Sequence, residues 1–356
     1  MSFSRLSMLP IALGLALTGA ACGGSSDAAP AAATPTTNAG ASSAKPSGSD
    51  VTPAPNYAAL ARDEFNRLAV RYDLPLFWVA DKNKNGAVDP DEVVSLLFYG
   101  TRNDVGENKT PRWVQGGAFT PAFDAAFAKL LRGEPAMPSG LSPAELERRK
   151  LVGEDLDQGY TTLVRSDLTG LSPEDKSFVR HVFAAAEMID TLYLTQKGVL
   201  SLSKDVPADD PSSLALFYRN RGPECVGSKT EKNPACNAIP ARATRAPVDV
   251  YPRDLQSQPK FCEMLEKQPN AKKLLDPFVV VRASQDGRGK LEPVPYSDAY
   301  KELMTGIAGE LRAAAAALED PKESALKAYV TAAAQSFTDD NWLPADEAWS
   351  KMNAQN

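Results

Sequence analysis

Twelve consecutive residues, Asp81-Lys82-Asn83-Lys84-Asn85-Gly86-Ala87-Val88-Asp89-Pro90-Asp91-Glu92, constrain this chain more than any other stretch. Oxygen-bearing side chains stand at positions 1, 3, 5, 9 and 12 of the run, and glycine at position 6. One loop wraps a calcium ion at this spacing. Positions 1, 3, 5 and 12 give side-chain oxygens, position 7 a backbone carbonyl, and position 9 often acts through a water. The expected calcium ligands are therefore Asp81, Asn83, Asn85, Ala87 through its carbonyl, Asp89 and Glu92. Gly86 meets the sharp turn that a Cβ would oppose, and Val88 is expected to turn inward. Neutral asparagine at two positions leaves three carboxylates, which predicts moderate or weak affinity and suits a calcium-rich compartment. A polar Asx turn between two helices is the alternative that the same residue types allow.

The run resembles an EF-hand loop over all twelve positions. That resemblance implies a helix on either side. A short helix from Pro75 through Trp78 to Ala80 is expected to lead in, after a longer one over Tyr57 to Tyr72 with Ala61, Phe65 and Leu68 at helical spacing. Pro90 is expected to start an outgoing helix carrying Val93, Val94, Leu96, Leu97 and Phe98. No second loop of this pattern occurs in the sequence. A solitary hand must pack its apolar faces on the rest of its own domain, which favours a structural calcium over a sensor that opens.

The first residues read as an address. Arg5 supplies a positive start, Leu9 to Leu17 an apolar run too short for a stable span, and Gly19-Ala20-Ala21 a small-residue cleavage site before Cys22. This resembles a bacterial lipoprotein signal over residues 1–21, with Cys22 as the lipidated residue, although Gly19 stands where such signals usually carry leucine. Ordinary secretion with cleavage nearby is the other reading. Both predict export, and the lipid places the chain on the periplasmic or outer face of the bacterial outer membrane. Residues 22–55 are rich in Ala, Ser, Pro and Thr and hold almost no large apolar side chain, so they cannot offset the entropy of ordering. They are expected to form a disordered tether, with a root-mean-square reach of roughly 30 Å.

The remaining chain is long enough for a real core and two lobes, drawn at 56–135 around the loop and 140–356 beyond it. The expected class is mainly α with a small β component. Ser142-Pro143-Ala144-Glu145 and Ser172-Pro173-Glu174-Asp175 each combine an N-cap serine, a first-turn proline and a carboxylate three residues on. The second starts a helix over Pro173 to Gln196, with Phe178, Val182, Ala185, Ile189 and Leu192 on one face and Gly198 to end it. Phe278 to Arg282 and Lys290 to Val294, joined through Asp286-Gly287-Arg288-Gly289, read as the one β-hairpin, 278–294. Helices are expected over Ser297 to Leu318, Pro321 to Phe337 and Pro344 to Met352.

Cys225 and Cys236 are the nearest pair for a disulfide in an exported chain, with Cys262 leaving other pairings open. The charged run Glu145-Leu146-Glu147-Arg148-Arg149-Lys150 reads as solvated helix surface, and Trp78, Trp113, Trp342 and Trp349 read as core. A net charge of −6 gives no reason to expect nucleic acid. The partners expected are calcium, a membrane reached through the lipid on Cys22, and peptides.

Leu171-Ser172-Pro173-Glu174-Asp175, Met188-Ile189-Asp190-Thr191-Leu192-Tyr193, Asn220-Arg221-Gly222-Pro223, Val250-Tyr251-Pro252-Arg253-Asp254, Val294-Pro295-Tyr296-Ser297, Phe337-Thr338-Asp339-Asp340 and Ala348-Trp349 follow one another in a familiar order. Together, over residues 171–353, they resemble bacterial proteins of the dipeptidyl-peptidase III family. The resemblance implies two lobes around a cleft, a zinc ion held by a helical His-Glu motif and a further glutamate, and removal of dipeptides from peptide N-termini. Here the only histidine is His181, followed by Val182-Phe183-Ala184. Zinc peptidase chemistry needs several ligands around an open position and a glutamate to activate water. No catalytic residue is therefore assigned, and His181 reads as an ordinary helix residue. In the family the zinc motif lies downstream of the segment resembled here. Two readings stay open: the N-terminal part of a zinc peptidase, or a non-catalytic calcium-binding lipoprotein that binds peptides or proteins.

Overall fold

Proline at the first turn and an oxygen at the cap start four of the helices. Thr120 accepts from the Phe123 amide, Ser142 from Glu145, Ser172 from Asp175 and Asp210 from Ser213, each ahead of a proline. The computed structural model describes residues 55–96, 113–242, 247–284 and 290–353. The signal peptide, Cys22, nearly all of the tether, Leu97, Phe98 and the Asp286 turn lie outside them.

The first part comprises α1 (Arg62–Arg71), β1 (Leu76–Trp78), a 3-10 turn (Pro90–Glu92) and β2 (Val93–Ser95), then β3 (Val114–Gln115), β4 (Ala118–Phe119) and α2 (Pro121–Leu130). Next come α3 (Pro143–Leu156), α4 (Pro173–Gln196), α5 (Pro211–Asn220) and three short helices, α6 (Arg253–Gln256), α7 (Phe261–Glu266) and α8 (Ala271–Leu274). The hairpin β5 (Val279–Ala283) and β6 (Leu291–Pro295) precedes α9 (Tyr296–Ala299), α10 (Lys301–Ala317), α11 (Ser324–Asp339) and α12 (Leu343–Trp349). The fold is mainly α with small antiparallel two-stranded sheets, β1–β2, β3–β4 and β5–β6, where one hairpin was expected.

Three larger cores organise most of these elements, and a smaller one of Phe261, Leu265, Leu274, Val281 and Leu291 joins α7 and α8 to the β5–β6 hairpin. Phe65, Trp78, Val88, Trp113, Phe123 and Phe127 pack one around the loop. A second joins Leu151, Val152 and Leu156 of α3 to Leu216 and Phe217 of α5 and to Ala238 and Ile239. The third packs α4 against α10, α11 and β5 through Ala185, Leu192, Val280, Ile307, Ala308 and Phe337. No described helix is long and apolar enough to cross a membrane.

Two sequence readings are corrected here. Arg148 and Arg149 are 4% and 5% exposed, because the helix face they share with Glu145 meets Asp209 and Asp210 at the start of α5. A run of charge looks like surface only until a second charged segment covers it. Trp349, read as core, is 46% exposed on α12, which packs against α11 and buries Ala345 instead.

Cys225 is bonded to Cys236, with Cα atoms 5.7 Å apart, and both sulfurs are buried in the second core. Closing so short a loop removes freedom from the unfolded chain worth about 3 kcal/mol. Denaturant unfolding of a Cys225→Ser/Cys236→Ser variant is expected to show that loss, with the midpoint shifted and the slope little changed.

Candidate metal centre

Asp81 to Glu92 lies between two strands, not two helices. β1 pairs antiparallel with β2, with Leu76 opposite Ser95, Phe77 opposite Val94 and Trp78 opposite Val93. The helices expected over Pro75–Ala80 and from Pro90 onward are therefore absent, and the outgoing helical turn stops at Glu92. The reason is local. Leu-Phe-Trp and Val-Val are aromatic and β-branched, they fit a pleated pair, and the loop that joins them sets their register.

Within the loop the side chains fold inward onto backbone amides. Asp81 accepts from the Asn85 and Gly86 amides at 3.1 and 3.0 Å, Asn83 from Asn85 at 3.0 Å, and Asn85 from Ala87 at 2.7 Å. Gly86 has φ +72° there, a conformation glycine adopts without strain. The Asn83 and Asn85 side-chain amides both donate to one oxygen of Asp89, at 2.7 and 2.9 Å. Four of the predicted side chains, Asp81, Asn83, Asn85 and Asp89, are thus drawn into one linked group.

Glu92 stands apart from that group at the foot of the loop. It is 1% exposed. Its carboxylate accepts from the Lys82 amide at 2.5 Å, the Trp78 indole at 2.9 Å and the Asp89 amide at 3.3 Å. Asp89 and Glu92 also cap the turn reciprocally. Asp155 and Asp210, which are as deeply buried, each pair with an arginine, Arg219 and Arg148. No lysine or arginine among the described residues pairs with Glu92, and Lys82 reaches instead to the exposed Asp91 at 2.8 Å.

The floor of the loop is built by residues that the spacing did not single out. Asn66 of α1 clamps Trp78 from both sides, donating to its carbonyl at 3.0 Å and accepting from its amide at 2.8 Å. Val88, fully buried, donates from its amide to the Tyr57 carbonyl at 3.1 Å. The Tyr57 hydroxyl donates to Asp124 of α2 at 2.7 Å. Burial first, then that bond and the Asp124 charge, push the Tyr57 hydroxyl up to about 12. A polar Asn66 on the apolar stripe of α1 was the available signal for this clamp.

Among the described residues one group of His, Cys, Asp and Glu ligand atoms converges, Asp155 with Cys225 and Cys236, whereas the carboxylates of Asp81, Asp89 and Glu92 do not draw together in this way. Those two sulfurs are bonded to each other, so this is a structural cluster. Asp155 accepts there from the Val226 and Gly227 amides at 3.1 and 2.7 Å and from Thr230 at 2.6 Å. His181 of α4 pairs with Glu310 of α10 at 2.7 Å, half-buried at the helix contact.

No family model and no curated protein matches the chain. Two solved structures are similar to part of it. Dipeptidyl-peptidase III from Corallococcus sp. strain EGB matches with a TM-score of 0.48 and 23% identity, over 58% of this chain and 38% of that one. DPP III from Caldithrix abyssi matches with a TM-score of 0.46 and 24% identity, over 58% of this chain and 37% of that one. The chain thus spans less than two-fifths of the length of either structure.

Proposed function

We propose that this chain is a calcium-binding exported lipoprotein whose ion, held by Asp81, Asn83, Asn85, the Ala87 carbonyl, Asp89 and Glu92, staples the N-terminal strands together. One observation carries the reading: a buried carboxylate, Glu92, paired with no cationic side chain among the described residues, at the foot of a loop whose side-chain acceptors are all oxygen. Buried charges in proteins are paired or coordinate a metal, and an all-oxygen set with three carboxylates suits a hard divalent cation. The strand pair and the Asn66 clamp anchor both ends of the loop, which supports a structural ion over a sensor.

The anchor belongs to the same reading: Cys22 carries lipid and residues 22–55 hold the folded body away from the membrane. Palmitate labelling is expected in the wild type and absent in Cys22→Ser. The helical body is proposed to be dipeptidyl-peptidase III-like and to take part in peptide handling. Reading the gene past Asn356 separates a peptidase part from a non-catalytic binding lipoprotein.

Thermal unfolding gives the direct stability test. At calcium concentrations about 100-fold above Kd the N-terminal unit should gain about 2.7 kcal/mol. Excess chelator should remove that gain, and magnesium should give less of it because it demands a stricter octahedron. Identical melting in calcium and chelator would contradict the reading.

A further inference from the structure

The connection between α3 and α4 is a long irregular segment. Residues 159–171 form neither helix nor strand, and Tyr160 and Val164 are almost wholly exposed. From Tyr160 to Ser166 no hydrogen bond reaches the other described residues. Only at Asp167 does local bonding resume, to Thr169. Endopeptidases bind substrate as an extended strand of several residues, so a helix must first unfold locally before it is cut. This segment needs no unfolding. Arg165 is exposed within it, followed by the small Ser166.

We propose that Tyr160–Ser166 is a proteolytic processing site, recognised by an endopeptidase whose primary pocket takes arginine, and that the cut chain stays one folded body. Water adds across the Arg165–Ser166 peptide bond: the carbonyl carbon of Arg165 gains the oxygen and becomes a carboxylate, and Ser166 leaves as a new α-amino group. The second half of the claim rests on the path of the chain. After α4, α5 returns to pack on α1 and α3.

The two products would remain joined through buried contacts on either side of the cut. Arg148 bonds Asp210 and Ser213, both at 2.7 Å, and the Asn237 carbonyl at 2.7 Å. Ser212 donates to the Arg71 carbonyl at 2.9 Å, and Asp155 accepts from Arg219, Val226, Gly227 and Thr230. Leu151, Val152 and Leu156 share their core with Leu216 and Phe217.

Brief digestion of the full chain with trypsin, followed by N-terminal sequencing and native gel filtration, tests this. A fragment beginning at Ser166 should accumulate early and elute together with the piece ending at Arg165, while a reducing denaturing gel separates them. Arg165→Gln should abolish that fragment and leave cleavage after Tyr160 or Leu163 by chymotrypsin intact, which shows that the segment is still presented. Absence of a Ser166 terminus until the whole protein is degraded would overturn the site. Separate elution of the two pieces would overturn the claim that the cut chain holds together.

Discussion

Arg148→Ala should destabilise the protein by about 3 to 5 kcal/mol, the cost of removing one partner from a buried ion pair and leaving the other charged. Arg148 lies between Glu145 and Asp210, both at 2.7 Å, and also satisfies Ser213 and the Asn237 carbonyl. Its loss takes the direct partner from the buried Asp210 carboxylate, leaves it only Arg149 at 3.6 Å as a cation, and removes a donor from Ser213 and from the Asn237 carbonyl. The variant should therefore show a lower midpoint in denaturant, and its α3–α5 contact should open first in hydrogen exchange.

The pH dependence gives an independent readout. Hydrogen bonds from Arg148 and then Arg149 hold the Glu145 carboxyl below its ordinary value of 4.5, against the opposing effect of burial. A depressed acid contributes stability that is complete above its ordinary pKa and lost as pH falls through the folded value. The wild type should lose this share on acidification below about pH 4.5, and Arg148→Ala should show a shallower acid slope. An unchanged slope would mean that Arg148 does not hold Glu145.

Glu92→Ala is expected to cost about 3 kcal/mol without calcium, since the Trp78 indole and the Lys82 and Asp89 amides lose a charged acceptor. In saturating calcium the difference from wild type should widen by the ion's own contribution, about 2.7 kcal/mol at 100-fold over Kd. Glu92→Gln separates the two effects. It retains an oxygen acceptor and removes the buried charge, so its calcium-free stability should lie nearer the wild type while its response to calcium falls. Chemical denaturation with calcium and with chelator measures both. Equal calcium responses in all three proteins would remove Glu92 from the site.

The sequence was most legible where one residue type has one job. Pro173 after Ser172 starts α4, Gly198 follows its end, and Gly86 takes the positive φ that the loop spacing demands. The apolar Val88 is buried beneath the loop. It was misleading where tertiary partners decide. Leu76-Phe77-Trp78 and Val93-Val94 contain enough apolar character for short helices, yet each becomes a strand because the other is present to pair with it. Glu145, Arg148 and Arg149 look like a solvated face until α5, sixty residues later in the chain, brings Asp209 and Asp210 onto them. The Asn66–Trp78 clamp left only a trace, a polar residue on the apolar stripe of α1, because it is a pairing between two elements and not a spacing within one.

The calcium site rests on loop spacing together with the buried Glu92 carboxylate, and titration calorimetry of calcium into wild type and Glu92→Gln tests it most directly. One calcium bound per wild-type chain is predicted, with affinity at least about tenfold weaker in Glu92→Gln, a difference of 1.4 kcal/mol or more. No heat of binding in the wild type, or the same affinity in both proteins, would contradict it.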